Sequence, residues 1–244
     1  MLGMTTTKDP GTTGIKDIAE ALGGGIHEGS LVMIEGEGRT GKSVLCQHIA
    51  CGILRSKGSS VAYYSSQLEP EGLVKQMESM SLETRHELAT DRFRTFKMGT
   101  DNVMKDAEKV LQGIIDHVKA LPPRFKLAIV DSPSQFMSRV SPMVKVDFLQ
   151  ACKELCEPDR SLVLALDTHI FEKKTLARAY AMSDYYLKLR SQDVVLSSGQ
   201  IDTRVIKVLE VTKLAGADRA QDGIKFEIKP RMGIQILPFV QIRV

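Results

Sequence analysis

Eight residues, Gly36-Glu37-Gly38-Arg39-Thr40-Gly41-Lys42-Ser43, fit the phosphate-binding pattern G-x-x-x-x-G-K-[ST], the Walker A loop, at every fixed position. Glycines let such a loop turn its backbone inward and aim successive N–H groups at phosphate oxygens. Lys42 offers a positive charge to β- and γ-phosphates, and the Ser43 hydroxyl offers an oxygen to Mg²⁺. The chemistry requires a strand before the loop and a helix after it. Residues 30–35, Ser-Leu-Val-Met-Ile-Glu, read as a buried strand, and the apolar residues of 44–54 recur at helical spacing. A helix N-terminus there adds about half a positive charge. A glycine-rich turn without a ligand is the plain alternative, and the agreement of motif with context argues against it. Gly36, Gly38, Arg39, Thr40, Gly41, Lys42, Ser43 and Val44 are therefore the candidate nucleotide contacts.

A second acidic position belongs with the first. Residues 127–131, Leu-Ala-Ile-Val-Asp, form an apolar run that ends in Asp131, the Walker B pattern. A parallel strand presents its last side chain at the carboxyl edge of the sheet, where ligands of open α/β sheets bind. There Asp131 could hold Mg²⁺ through a water. Many buried strands end in Asp, so the pairing with the loop carries the reading. A further apolar run, 162–166, ends in Asp167-Thr168-His169. Thr168 or His169 would face the same edge and could sense a γ-phosphate, or be an ordinary polar strand end.

Around these positions the chain alternates strand and helix signals and then becomes strand-rich. Helices are expected over 15–22, 44–54, 71–80, 103–120 and 143–156, and partly over 171–182. Strands are expected over 30–35, 60–65, 93–98, 127–131, 162–166, 184–190 and 204–212. A terminal hairpin is expected at 226–228 and 233–237. This predicts an α/β fold: a RecA-like P-loop core with a mostly parallel sheet flanked by helices, and antiparallel strands added late.

Length and composition set outer bounds. The 244 residues suit one large α/β domain, expected over 15–244 behind a flexible Thr- and Gly-rich tail at 1–14. The formal net charge of +3 gives no strong nucleic-acid signal. None of the four cysteines forms C-x-x-C. Cys152 and Cys156 share a helix face, where two buried thiols are the simpler reading than a metal site. The five histidines show no HExxH. The start of the chain lacks the features of a signal peptide, and no apolar run approaches the ~18 residues of a spanning helix. A cytoplasmic protein is expected, meeting membrane only through partners.

The Leu22-Gly23-Gly24-Gly25-Ile26 lead-in, its spacing to Gly29-Ser30-Leu31 and the P-loop resemble the single-domain KaiC-like branch of the RecA-type ATPases. Within that branch the chain resembles the archaellum accessory ATPases, the FlaH or ArlH family. The stretches 64–68 (Tyr-Ser-Ser-Gln-Leu), 76–80 (Gln-Met-Glu-Ser-Met) and 211–217 (Val-Thr-Lys-Leu-Ala-Gly-Ala) carry this, with Phe226-Glu227-Ile228 and Gly233-Ile234. The resemblance implies ATP with Mg²⁺ and a homo-oligomeric, hexameric ring. It also implies docking to the archaellum motor ATPase and cytoplasmic scaffold proteins. The role it implies is a nucleotide-gated part of assembly or switching, peripheral to the membrane through the motor complex.

Two positions depart from the pattern. RecA-type enzymes place a Glu after the second strand as general base for the attacking water. Here Gln67 stands there, which can orient a water but not take its proton, and base catalysis is worth ~10²–10⁴ in rate. Glu69, two residues on, is the candidate substitute. KaiC-like rings send a Lys-x-Arg pair into the neighbouring subunit's site. This chain reads Lys213-Leu214-Ala215, so Lys213 remains as a trans-acting candidate and the arginine is missing. Both departures point to tight ATP binding with slow turnover, although some Gln-bearing NTPases hydrolyse well by positioning water. The competing reading is a RecA/RadA-like DNA-dependent ATPase of recombination or repair. It needs DNA-contacting loops at 132–143 and 169–183, which carry Arg139, Lys173, Lys174 and Arg178 but few aromatics for base stacking. A KaiC-like kinase or clock component is a third reading, weakened by the single domain.

Overall fold

The computed structural model describes residues 15–56, 58–99, 106–156, 160–195, 203–214, 217–218 and 223–237. The tail expected at 1–14 and the helix start expected at Val103 lie outside these residues. The chain opens with α1 (Lys16–Ala21), β1 (Leu31–Gly36), α2 (Lys42–Arg55), β2 (Ser60–Ser65), α3 (Pro70–Glu78), α4 (Arg85–Ala89) and β3 (Phe93–Lys97). It continues with α5 (Ala107–Ala120), β4 (Phe125–Asp131), α6 (Ser134–Met137), α7 (Pro142–Leu155), β5 (Ser161–Asp167) and α8 (Lys173–Met182). The last part is strand alone: β6 (Tyr185–Val195), β7 (Thr203–Leu214), β8 (Ala217–Asp218), β9 (Ile224–Lys229) and β10 (Gly233–Ile236).

One sheet holds every strand, in the order β10-β9-β7-β6-β1-β5-β4-β2-β3, with β8 beside β7. The strands from β3 across to β6 are parallel, while β7, β9 and β10 pair antiparallel. The mostly parallel core with late antiparallel strands is the architecture expected from the sequence. Its central strands are apolar on both faces because helices cover both. Val32 and Ile34 of β1 pack with α1, α2 and α3, while Leu31 and Met33 pack with α5, α7 and α8. This is why the runs before Gly36 and Asp131 read as continuous hydrophobic stretches rather than alternating ones.

Two helices differ from the sequence reading. The polar stretch before Asp91 contains α4, five residues with none buried, so it has no apolar stripe to reveal it. The stretch 132–143, expected as a loop in the DNA-binding alternative, holds α6 and the start of α7. Ser134, Phe136 and Met137 of α6 are buried. One turn is too short for periodicity to register. Helix α5 is capped by Asp106, whose side chain accepts from the Lys109 N–H at 3.3 Å.

Candidate functional site

Strand β1 brings Gly36 to the carboxyl edge between β5 and β6, in register with Asp167 and Leu189. Only glycine fits there. A Cβ on Gly36 would lie 2.6 Å from Thr40 Oγ1 and 2.8 Å from the Leu189 carbonyl oxygen. The chain then reverses through Arg39, at φ 64°, and Gly41, at φ 101°, which caps the N-terminus of α2. The Thr40 hydroxyl donates to the Glu37 carbonyl at 2.8 Å and is buried. Gly38 is open, with nothing near the position of a Cβ. No acidic residue of α2 itself stands in its first turn; the acids near this helix end, Asp131 and Asp167, come from other strands. Val44 packs half-buried against the core beneath the loop.

Lys42 curls back over this loop and is almost wholly buried. Its ammonium donates to the carbonyls of Gly36 (2.7 Å) and Glu37 (2.9 Å) and pairs with Asp167 Oδ1 at 3.0 Å. Ser43 points across to β4, where its hydroxyl donates to Asp131 Oδ1 at 3.1 Å. The other oxygen of Asp131 accepts from the Tyr63 hydroxyl at 2.6 Å. Burial pushes the Asp131 carboxyl up, against the pull of the Tyr63 and Ser43 bonds and the Lys42 charge. Tyr63 is fully buried, and burial beside Asp131 raises its phenol strongly. Tyr64 points to the opposite face, where its hydroxyl meets His117 Nδ1 at 2.7 Å.

Thr168 follows β5 and is half-buried. Its N–H donates to the Gly36 carbonyl at 3.1 Å, and it lines a cavity of about 150 Å³ with Glu35, Asp167 and His169. Gln67 is exposed just past the tip of β2. The Gln67 and Leu68 amides donate to Ser65 Oγ at 3.3 and 2.9 Å, which turns the chain toward α3. Glu69 is exposed as well, and its carboxylate lies 3.6 Å from Lys97 at the end of edge strand β3. The acid that meets the loop lysine is Asp167. Lys213 sits on β7, level with Tyr186 and with the middle of β1. Its ammonium donates to the carbonyls of Tyr180 (2.7 Å), Ala181 (3.0 Å) and Ser183, at the C-terminal end of α8. Reaching a neighbouring subunit would require giving up those bonds.

Three contributors were missed in the sequence. Asp167 carries the same signal as Asp131, an apolar run ending in an acid, but the sequence reading rests on the next two residues, Thr168 and His169. Tyr63 shows nothing local that marks it as the partner of Asp131. Lys207 lies on β7, and its ammonium donates to the Arg39 carbonyl at the apex of the loop at 2.7 Å. Burial lowers the pKa of this lysine. Strand β9 closes the same side, for a Cβ on Gly41 would lie 2.9 Å from Ile228 Cδ1.

Known proteins resemble this chain in sequence and in fold. The archaeal flagellar ATP-binding protein FlaH of Sulfolobus acidocaldarius is 25% identical over 232 residues, covering 93% of this chain and 96% of that one. The DNA repair and recombination protein RadB of Thermococcus gammatolerans is 32% identical over 123 residues, half of each chain. The crystal structure of the flagellar accessory protein FlaH from Methanocaldococcus jannaschii superposes with a TM-score of 0.73 at 22% identity. It covers 91% of this chain and 96% of that one, and shows a shared fold. The family model described as "ATPase: KaiC" matches residues 11–241. With the loop lysine, the Ser43–Asp131 pair and the mostly parallel core on one edge, the match over nearly the whole length shows that the chain belongs to the KaiC family of ATPases.

Proposed function

We propose that this protein is an ATP-binding, nucleotide-gated ring component that regulates or helps assemble the archaellum motor, with slow or negligible hydrolysis. The observation that carries the reading is the contrast within the site. The phosphate-binding side is complete, with Lys42 buried over the loop and Ser43 bonded to Asp131 at 3.1 Å. The hydrolytic side offers the neutral Gln67, while Glu69 leans toward Lys97. A nucleotide would exchange phosphate oxygens for the carbonyls and carboxylate that Lys42 now holds. Ser43 and Asp131 supply the hard oxygen donors that suit Mg²⁺, the latter through water. That ion would neutralise phosphate charge. With Gln67 in place of a glutamate after β2, the base catalysis such a glutamate supplies, worth ~10²–10⁴ in rate, is missing.

Archaellar FlaH proteins, alike over nearly their whole length, support the cellular assignment. The proposal includes a single RecA/KaiC-like domain over 15–244 and hexamerisation. Its partners would be the archaellum motor ATPase and cytoplasmic scaffold proteins, with a cytoplasmic location peripheral to the membrane. Among the described residues no helix is long and apolar enough to cross a membrane. Lys213, as a trans-acting group, would first release its bonds to the carbonyls at the end of α8. The test is the fate of bound ATP. Protein loaded with ATP and Mg²⁺ is stripped of excess nucleotide, and ADP in the bound fraction is followed for an hour. Intact ATP is expected; turnover within seconds would overturn the slow-hydrolysis part.

The partial RadB match favours a second reading, a DNA-dependent ATPase of recombination or repair. Against it, of the two segments it needs as open loops, one is half helical, as α6 with the start of α7, and the other mostly helical, as α8. Salt-sensitive binding of single-stranded DNA at low micromolar affinity would decide for this reading.

A further inference from the structure

The ammonium of Lys42 has three donors, and in this structure all three are used: by Gly36 O, Glu37 O and Asp167 Oδ1. The third partner differs in kind from the other two, for it carries a full negative charge. Its position is fixed from three sides. The β1–β5 register sets Asp167 directly beside Gly36. The next residue, Thr168, donates its N–H to Gly36 O at 3.1 Å. On the other side, the Asp167 N–H donates to the hydroxyl of Ser134, a buried residue of α6, at 2.9 Å. The backbone of Asp167 is therefore set beside the loop lysine by strand register and by the turn that follows Asp131, while the carboxylate itself is held, among the described residues, only by Lys42. More than half of the Asp167 side chain is solvent-exposed, so it borders the open face of the loop and could swing away.

We propose that Asp167 is a specificity-determining acid, which competes with nucleotide phosphates for Lys42 and lowers the preference of the site for the triphosphate over the diphosphate. This rests on the nucleotide-binding reading above and adds to it. A diphosphate presents one terminal phosphate to the lysine and a triphosphate presents one more, so the triphosphate must take more of its donors. It also brings one more charged group into the field of Asp167. Like charges at such range repel, and the repulsion grows with the charge brought in. Asp131, two strands away from β1, already feels the Asp167 charge, which helps to raise its carboxyl. An acid placed here makes loading reversible and sensitive to the ATP-to-ADP ratio, as a gated component requires.

The test compares the full-length protein with Asp167→Asn, Asp167→Glu and Lys42→Ala. Fluorescent ATP and ADP analogues are titrated with and without Mg²⁺, and melting temperatures are recorded alongside. Asn keeps an acceptor for Lys42 and removes the charge. Its expected effect is about three- to fivefold tighter ATP binding and under about twofold tighter ADP binding, since a half-exposed ion pair is worth no more. The gain should shrink between 0.05 and 0.5 M salt as screening grows, roughly from a 14 Å to under a 5 Å Debye length. Glu should retain the wild-type ratio. An unchanged ATP-to-ADP ratio with a lowered melting temperature would mean that Asp167 only supports the fold, and would overturn the proposal. Weaker ATP binding by the Asn variant, seen only with Mg²⁺, would make it a metal ligand and overturn it as well. If Asn is not tolerated, Asp167→Ala gives the same comparison. Failure of the underlying reading is separate: wild type and Lys42→Ala would then bind neither nucleotide, and both proposals fall together.

Discussion

His48 ties the C-terminal hairpin to the helix that carries the loop, and acid should release it. The side chain lies on α2 and is buried, and its Nε2 accepts the backbone N–H of Ile234 on β10 at 3.1 Å. The imidazole is therefore neutral with its proton on Nδ1. Gly233, at φ 67°, packs over the ring, where a Cβ would come within 2.3 Å of Nε2. Burial, and then the charge of Arg55, lower the His48 pKa from 6.5 to about 4. A depressed folded-state value means that the stabilisation is present above the unfolded-state value and is lost as pH falls toward the folded one. The window is thus from pH 6.5 down to about 4. At 1.36 kcal/mol per pKa unit, the loss between pH 7 and pH 5 is at most about 2 kcal/mol. His48→Gln, whose amide oxygen can still accept from Ile234, should lack this loss. The assay is urea unfolding of both proteins at pH 7 and pH 5. Carboxylates that titrate in both cancel in the difference, which should be about 2 kcal/mol in favour of the variant's acid tolerance. Equal pH dependence of the two proteins would refute the reasoning. So would unchanged protection of the Ile234 amide from hydrogen exchange at pH 5.

Three further outcomes follow from the site. Gln67→Glu restores a carboxylate at the position of the missing base and should speed single-turnover hydrolysis by one to two orders of magnitude, about the lower part of the range for base catalysis; no acceleration would place the block elsewhere. Tyr63→Phe leaves a buried Asp131 oxygen without its donor and should lower stability by about 1–3 kcal/mol, read by urea unfolding at pH 7. Lys207→Met removes the bond to the Arg39 carbonyl and should weaken ATP and ADP binding equally, about three- to tenfold by equilibrium titration. A selective loss of one nucleotide would mean instead that Lys207 contacts phosphate.

What the chain's own residues determine is local in origin. The loop from Gly36 to Ser43 could be read because φ-permissive glycines, a lysine and a hydroxyl at fixed spacing admit few other uses. The sheet could be read because apolar runs buried on both faces, punctuated by polar turns, specify parallel strands under helices, and alternating runs specify the late hairpin. Helix α4 was not legible because it buries nothing, and α6 because one turn shows no period. The roles of single charged residues were decided only by the fold. Glu69 and Asp167 both sit near strand ends that border the site. Strand order alone sends Glu69 to Lys97 on β3 and puts Asp167 beside Lys42. Lys207 reaches the loop apex from a residue 168 positions away, and Lys213 turns to the carbonyls of α8. Backbone propensity and burial are properties of short stretches. A charge takes the partner that the sheet brings within about 3 Å, and which partner that is depends on strand order and register.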